Sequence, residues 1–167
     1  MSRKNVCIEY DLYDLARNYA GRTAAKHKSY GREYLAKEEH IVTGKLGEMA
    51  YCIMNGLPLS MLNFDIDNGI DPGWDLVWNG IKIDVKTRKT PLNRMKFNPN
   101  YAHCDMFAIM SYNPGTKEFS HLLNIETGMA LRNARYDKGD FYLDLVSDMD
   151  ALKHCGHLAD VRLIQGQ

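Results

Sequence analysis

The chain has 167 residues, 45% hydrophobic and 25% charged, with 21 basic residues balanced by 21 acidic ones. That length suits one domain burying about two-thirds of its unfolded surface, and the composition is that of a soluble globular protein. No run approaches the roughly 20 apolar residues of a membrane span, and the opening MSRKNVCIEYDLYD lacks a signal peptide's apolar core. The expectation is no membrane association and a cytoplasmic protein, or a virus-encoded one acting inside a host cell.

In chain order, Ile8, Leu12, Leu15, Ala16 and Tyr19 recur at helical spacing and predict an amphipathic helix over residues 8 to 20, interrupted at Gly21. A polar stretch follows in which Arg22, Lys26, Lys28 and Arg32 are interleaved with Tyr30 and Tyr34. Such a mixture can track a phosphate backbone and stack on bases, and it equally describes an exposed helix or loop. A second helix is expected from Thr43, as N-cap, to Asn55, ended by Gly56 and closed off by Pro58. Leu46, Met49, Ala50 and Ile53 make its apolar stripe, Glu48 lies at the stripe's edge, and Gly44 and Gly47 allow another backbone or a substrate to approach closely.

Asn79-Gly80 is a strong hairpin signal for a two-residue type I′ turn. The turn sets the register: Trp78 faces Ile81, Val77 faces Lys82, Leu76 faces Ile83 and Asp75 faces Asp84. Leu76, Trp78, Ile81, Ile83 and Val85 then share an apolar face, while Asp75, Lys82, Asp84 and Lys86 share the other. Two carboxylates directly opposed across a ladder are destabilising. A divalent cation offsets that repulsion, since Mg²⁺ is commonly held by one or two carboxylates with waters and phosphates. Lys86, about 6.6 Å beyond Asp84 on the same face, can reach whatever the ion holds.

After the hairpin, Lys86, Arg88, Lys89, Arg94 and Lys96 form a basic strip with no acidic residue up to Asn98, whereas Asp65 to Asp84 holds five aspartates. A basic strip beside an acidic pocket suits a polyanion brought to a metal. Strands are expected at Met106 to Tyr112, Glu118 to Ile125 and 141 to 146, with a turn at Asn113 to Thr116 and a closing helix from 147 or 148 to 158. The order of helices, then strands, then a helix implies an α+β or mixed α/β fold around one central sheet. Cys7, Cys52, Cys104 and Cys155 have no metal-binding spacing and read as free buried thiols, and His154 with His157 lacks the further ligands of a zinc site.

The helix segment GKLGEMAYCIMNG, the strand WDLVWNG and the following IDVKT together resemble the core of the PD-(D/E)XK nuclease superfamily over roughly residues 44 to 112. The resemblance implies a restriction-endonuclease-like fold of a single domain, with a helical, partly basic region at 1–42, the catalytic core at 43–112 and C-terminal strands and helix at 113–167. It implies that Asp75, Asp84 and the Val85 backbone carbonyl hold Mg²⁺, or Mn²⁺ in its place, that Glu48 contributes directly or through water, and that Lys86 is the catalytic lysine. Asp71-Pro72 spells the family's dipeptide but precedes the strand, so Asp71 is held in reserve to Asp75. The implied activity is hydrolysis of phosphodiester bonds, with DNA as the expected substrate and an endonuclease as the expected class. Arg88, Lys89, Arg94 and Lys96, with Arg22, Lys26 and Lys28, would contact nucleic acid, and a homodimer would suit cutting of two strands. A nucleic-acid-binding module without catalysis and a protein-interaction domain are the alternatives left open.

Overall fold

A computed structural model of the chain describes residues 5–29, 38–64, 72–91, 93–97, 103–137 and 140–145. Asp71, the Lys28 side chain, the cluster from His154 to His157 and the expected closing helix lie outside the described residues. Strand β1 (Asn5–Cys7) leads into helix α1 (Tyr10–Ser29) and helix α2 (Glu38–Met54). A hairpin of β2 (Leu76–Trp78) and β3 (Ile81–Lys89) follows, then β4 (Arg94–Phe97), β5 (Met106–Asn113) and β6 (Glu118–Glu126). Helix α3 (Thr127–Asn133) and strands β7 (Arg135–Asp137) and β8 (Asp140–Asp144) complete the described chain.

The fold is mixed α/β. Five strands form one sheet in the order β1-β6-β5-β3-β2, parallel between β3 and β5 and antiparallel elsewhere. β4, β8 and β7 form a second, antiparallel sheet, so the expectation of one central sheet is corrected. The charges of residues 94–97 hide a strand: Met95 and Phe97 are buried while Arg94 and Lys96 are exposed, the period-two alternation of a half-covered strand.

Both helix boundaries differ from those expected. α1 runs through Gly21, because one glycine in a helix costs only about 1 kcal/mol and Ala16 and Ala20 are fully buried against neighbours. α2 starts at Glu38, and Thr43 is inside it, its hydroxyl bonding back to the Glu39 carbonyl at 2.8 Å instead of capping. Its other end is as the glycine signal indicates. Gly56 has φ of 65°, and the Gly56 and Leu57 N–H groups donate to the Ile53 and Cys52 carbonyls, a Schellman closure. Leu15 and Ile53, placed in apolar stripes by their spacing, are about two-fifths exposed and outside both cores.

The five-stranded sheet separates two cores. On one face, α1 and α2 cover Leu76, Ile83, Val85, Met106, Ala108, Met110, Tyr112 and Phe119. On the other, β4, β8 and α3 cover Phe107, Ile109, Leu123 and Ile125. β5 is thus buried on both faces. β6 serves both cores through an irregularity: its register against β5 slips between Ile109 and Met110, leaving Leu122 without a partner. Phe119 therefore faces the helices while Leu123, four residues later, faces the opposite layer, which an unbroken strand would not permit.

The contact between α2 and β3 is unusually close. A Cβ built on Gly47 would lie 1.8 Å from the Thr87 hydroxyl oxygen and 2.7 Å from the Thr87 Cβ. Gly44, by contrast, faces open space. We predict that Gly47→Ala forces α2 away from β3 and costs about 1 to 3 kcal/mol, the usual range for overpacking. Thermal unfolding checks this, and a midpoint equal to the parent's would contradict it.

Candidate active site

The hairpin forms as its turn residues require. Asn79 and Gly80 have φ of 48° and 79°, and the ladder pairs Leu76 with Ile83, Val77 with Lys82 and Trp78 with Ile81. The ladder ends one pair short of Asp75 and Asp84. Instead of standing opposite Asp84 as a cross-strand partner, Asp75 turns over the edge of β3. Its N–H donates to the Ile83 carbonyl at 2.9 Å, and its Oδ2 accepts the Val85 N–H at 2.7 Å. Within a strand a residue's N–H and C=O point the same way, so the Val85 carbonyl is turned toward the same edge.

This edge is where three elements deliver carboxyl groups. Glu48 comes from α2, on the helix-covered side of the sheet, and is buried. Asp84 belongs to the opposite face, beside Phe107 in the register, and is also buried. Asp75, between them, interacts with both. Lys86 forms an ion pair with Asp84, Nζ to Oδ2 2.6 Å, with about a third of its side chain exposed. Glu48, Asp75, Asp84 and Lys86 are therefore together, with the backbone of Val85 beside Asp75.

A second lysine, missed by the sequence reading, completes the cluster. Lys45 is 3% exposed and pairs with Glu48 one helical turn away. It also donates to the Asn63 carbonyl at 3.0 Å and lies 4.2 Å from the centre of the Tyr19 ring and 5.1 Å from that of Phe64. Its spacing from Glu48 was the available signal. The aromatic pair around it belongs to distant parts of the chain and gave none.

The electrostatics follow from burial. Loss of water pushes Glu48 up to about 7, against the pull of Lys45, and the Asp84 charge adds to the rise. Burial does the same to Asp75, raised to about 7 with a contribution from Glu48, while the Val85 N–H and the two lysines oppose it. Asp84 is raised to about 7 by burial; Lys86 opposes the shift and Asp75 reinforces it. Burial works against the charge on Lys86, but Asp84 and Asp75 outweigh it and its pKa is raised. The cluster is thus short of positive charge at neutral pH.

Hard carboxylate oxygens suit Mg²⁺ or Mn²⁺. Among the described residues no three His, Cys, Asp or Glu side chains are arranged so that they could hold a metal ion together. Two carboxylates with waters and a phosphate are a common Mg²⁺ environment, and the pair of Asp75 and Asp84 fits that smaller demand.

The basic residues divide. Arg88, Lys89 and Arg94 line one cleft of about 540 Å³ at the end of β3. Lys96 is on β4, while Arg22 and Lys26 are on α1, and none of these three lines the cleft. No helix among the described residues is long and apolar enough to cross a membrane. Cys7, Cys52 and Cys104 are free thiols; Cys52 and Cys104 are buried as expected, whereas Cys7, on the short edge strand β1, is exposed. Comparison with protein-family models, curated proteins and solved structures gives no match for the chain.

Two predictions follow from the buried charges. The folded state keeps protons on Glu48, Asp75 and Asp84 that the unfolded chain, with ordinary values of 4.5, 3.8 and 3.8, has already released. Stability from these groups is therefore complete below about pH 4 and lost as pH rises through about 7. In chelator, the melting midpoint should fall between about pH 5 and pH 8, and Asp84→Asn should flatten that slope; a parallel slope in the variant would refute the assignment. Lys45→Met should be more destabilising at pH 8 than at pH 5, because only the ionised Glu48 is left as an uncompensated buried charge, at about 3 to 5 kcal/mol. Equal losses at the two pH values would show that Lys45 acts through packing alone.

Proposed function

We propose that the protein is a metal-dependent nuclease that hydrolyses phosphodiester bonds, with DNA as its substrate, and that its fold is a restriction-endonuclease-like variant of the mixed α/β class. The observation that carries this reading is the meeting of Glu48, Asp75 and Asp84 from three elements at one strand edge, with Lys86 paired to Asp84. Glu48 is 27 residues or more from the other three in sequence, so its approach to Asp75 and Asp84 supports the resemblance independently of the hairpin motif. The packing of α2 on β3 and β5, which run parallel side by side, supports the fold assignment.

Asp75 and Asp84 are the ligands in this reading, with the Val85 carbonyl available on the same edge and Glu48 acting through Asp75 or through water. A bound Mg²⁺ or Mn²⁺ would supply Lewis-acid polarisation of the phosphate and a water of lowered pKa. The ion pair with Asp84 holds the Lys86 ammonium beside the reacting phosphate, where it offsets negative charge developing on the phosphoryl oxygens. A cationic lysine can do this without acting as a base, and its raised pKa keeps it cationic at neutral pH. Lys45 restrains Glu48 and is a positioning residue.

The test has an activity readout and a binding readout. With plasmid and linear DNA and Mg²⁺ or Mn²⁺, Asp84→Asn and Lys86→Ala should each lower cleavage by about a hundredfold or more while circular dichroism is unchanged. Full cleavage in either variant would overturn the assignment. Mg²⁺ at pH 8 should raise the melting midpoint of the parent but not of Asp84→Asn, since only a ligand of the folded state stabilises it. A protein that binds DNA without cleaving it under any divalent cation would instead be the non-catalytic module.

A further inference from the structure

The cleft at the end of β3 is separate from the carboxyl cluster. Arg88 lies four residues beyond Asp84, about 13 Å along an extended strand. The cleft is lined by two sides: His40 and Thr43 from the first turns of α2, and Thr87, Arg88, Lys89 and Arg94 from β3 and β4. No acidic residue is among its lining residues. Its volume of about 540 Å³ is within the range of small-molecule sites.

Two of its cations are only loosely engaged. Lys89 pairs with Glu39 and Arg94 with Asp137 at 3.4 Å, and all four side chains are substantially exposed. Exposed pairs of this kind are worth at most about 1 kcal/mol, so an incoming anion exchanges with them at little cost. Arg88 is exposed and makes no hydrogen bond or ion pair among the described residues. The Thr87 hydroxyl oxygen is buried without a hydrogen-bond partner against Gly47 of α2, so it does not open into the cleft. Two guanidiniums, an ammonium and an imidazole around one small cleft are a set of donors suited to an anion.

We infer that this cleft is a phosphate-binding pocket, in which Arg88, Lys89 and Arg94 supply charge and His40 supplies a directional donor. A planar guanidinium matches the oxygens of a phosphate and can engage two at once. The carboxyl cluster is a few nucleotides away at about 3.4 Å of rise per residue, so one strand of nucleic acid reaches both. The identity of the ligand as nucleic acid rests on the hydrolytic reading above; the affinity for phosphate does not.

The experiment uses the full chain in chelator, where no cleavage occurs. Inorganic pyrophosphate should shift the NMR signals of His40 and Thr87 in the parent and not in Arg88→Ala, a surface substitution that spares the core. Oligonucleotides of one sequence carrying a 5′ phosphate, a 3′ phosphate or neither then identify the source. A gain from one terminal phosphate that Arg88→Ala abolishes assigns the pocket to a strand end. Equal binding of all three, weakened about tenfold by Arg88→Ala, assigns it to an internal phosphodiester. Unmoved His40 and Thr87 signals, with oligonucleotide affinity unchanged in Arg88→Ala and His40→Ala, overturn the proposal. Parent protein that binds pyrophosphate in the cleft but never cleaves keeps the pocket and removes the nuclease; cleavage without pyrophosphate binding does the reverse.

Discussion

The geometry of the candidate site depends on one hydrogen bond, from the Val85 N–H to the Asp75 carboxylate at 2.7 Å. β3 has nine residues and β2 only three, so the hairpin ladder ends while β3 continues. The Val85 N–H is the first donor beyond the ladder, and an unpaired buried backbone donor costs about as much as a lost hydrogen bond. Asp75 satisfies it with a side chain where a longer β2 would have used main chain. That substitution places a carboxyl group on the strand edge, reachable from the helix layer on one side and from the Asp84 face on the other. Two layers that the sheet would otherwise separate thereby share a polar centre.

The same region shows how tight packing and costly charge are combined. Gly47 removes the one side chain that would keep α2 from β3, and the next residue, Glu48, is carried into the sheet edge by that approach. Burial alone would make Glu48 intolerable in ionised form, so Lys45 accompanies it, itself enclosed by Tyr19 and Phe64. The arrangement is self-consistent but not electrically satisfied. Two lysines face three carboxyl groups, and the deficit is met by raised proton affinity. The cheapest stable form of such a cluster at neutral pH has a proton in place.

Much of this arrangement was legible in the chain, and the failures have physical causes. The Asn79-Gly80 turn carried its register with it, because the side-chain period of two leaves little choice once a two-residue loop is assumed. That same register implied a fourth pair, Asp75 with Asp84, which the structure replaces by the turn of Asp75 over the edge; no pairing rule distinguishes a ladder partner from an edge cap. Gly21 and Thr43 misled for a common reason: helix-breaking and capping tendencies are worth about 1 kcal/mol and yield to burial of a helix face. β4 was obscured by charge, since Arg94 and Lys96 make a four-residue strand look like a loop. The burial of Lys45 and the unpartnered Thr87 hydroxyl could not be read from the chain, for their surroundings are assembled from helices and strands far apart in sequence; only the spacing of Lys45 from Glu48 was visible.

The shortness of β2 has another consequence. Among the described residues no strand pairs with β3 beyond Ile83 on the β2 side, while β5 pairs with it on the other as far as Lys89. Since main-chain groups alternate sides along a strand, those of Val85, Thr87 and Lys89 face the uncovered side. A free strand margin of this kind is a template for adding another chain's strand, and proteins that leave one open protect it with charge. Here Lys86, Arg88 and Lys89 supply that protection, so a second copy approaching with the same margin meets like charge. The basic end of β3 thus sets like charge against any strand added along that margin.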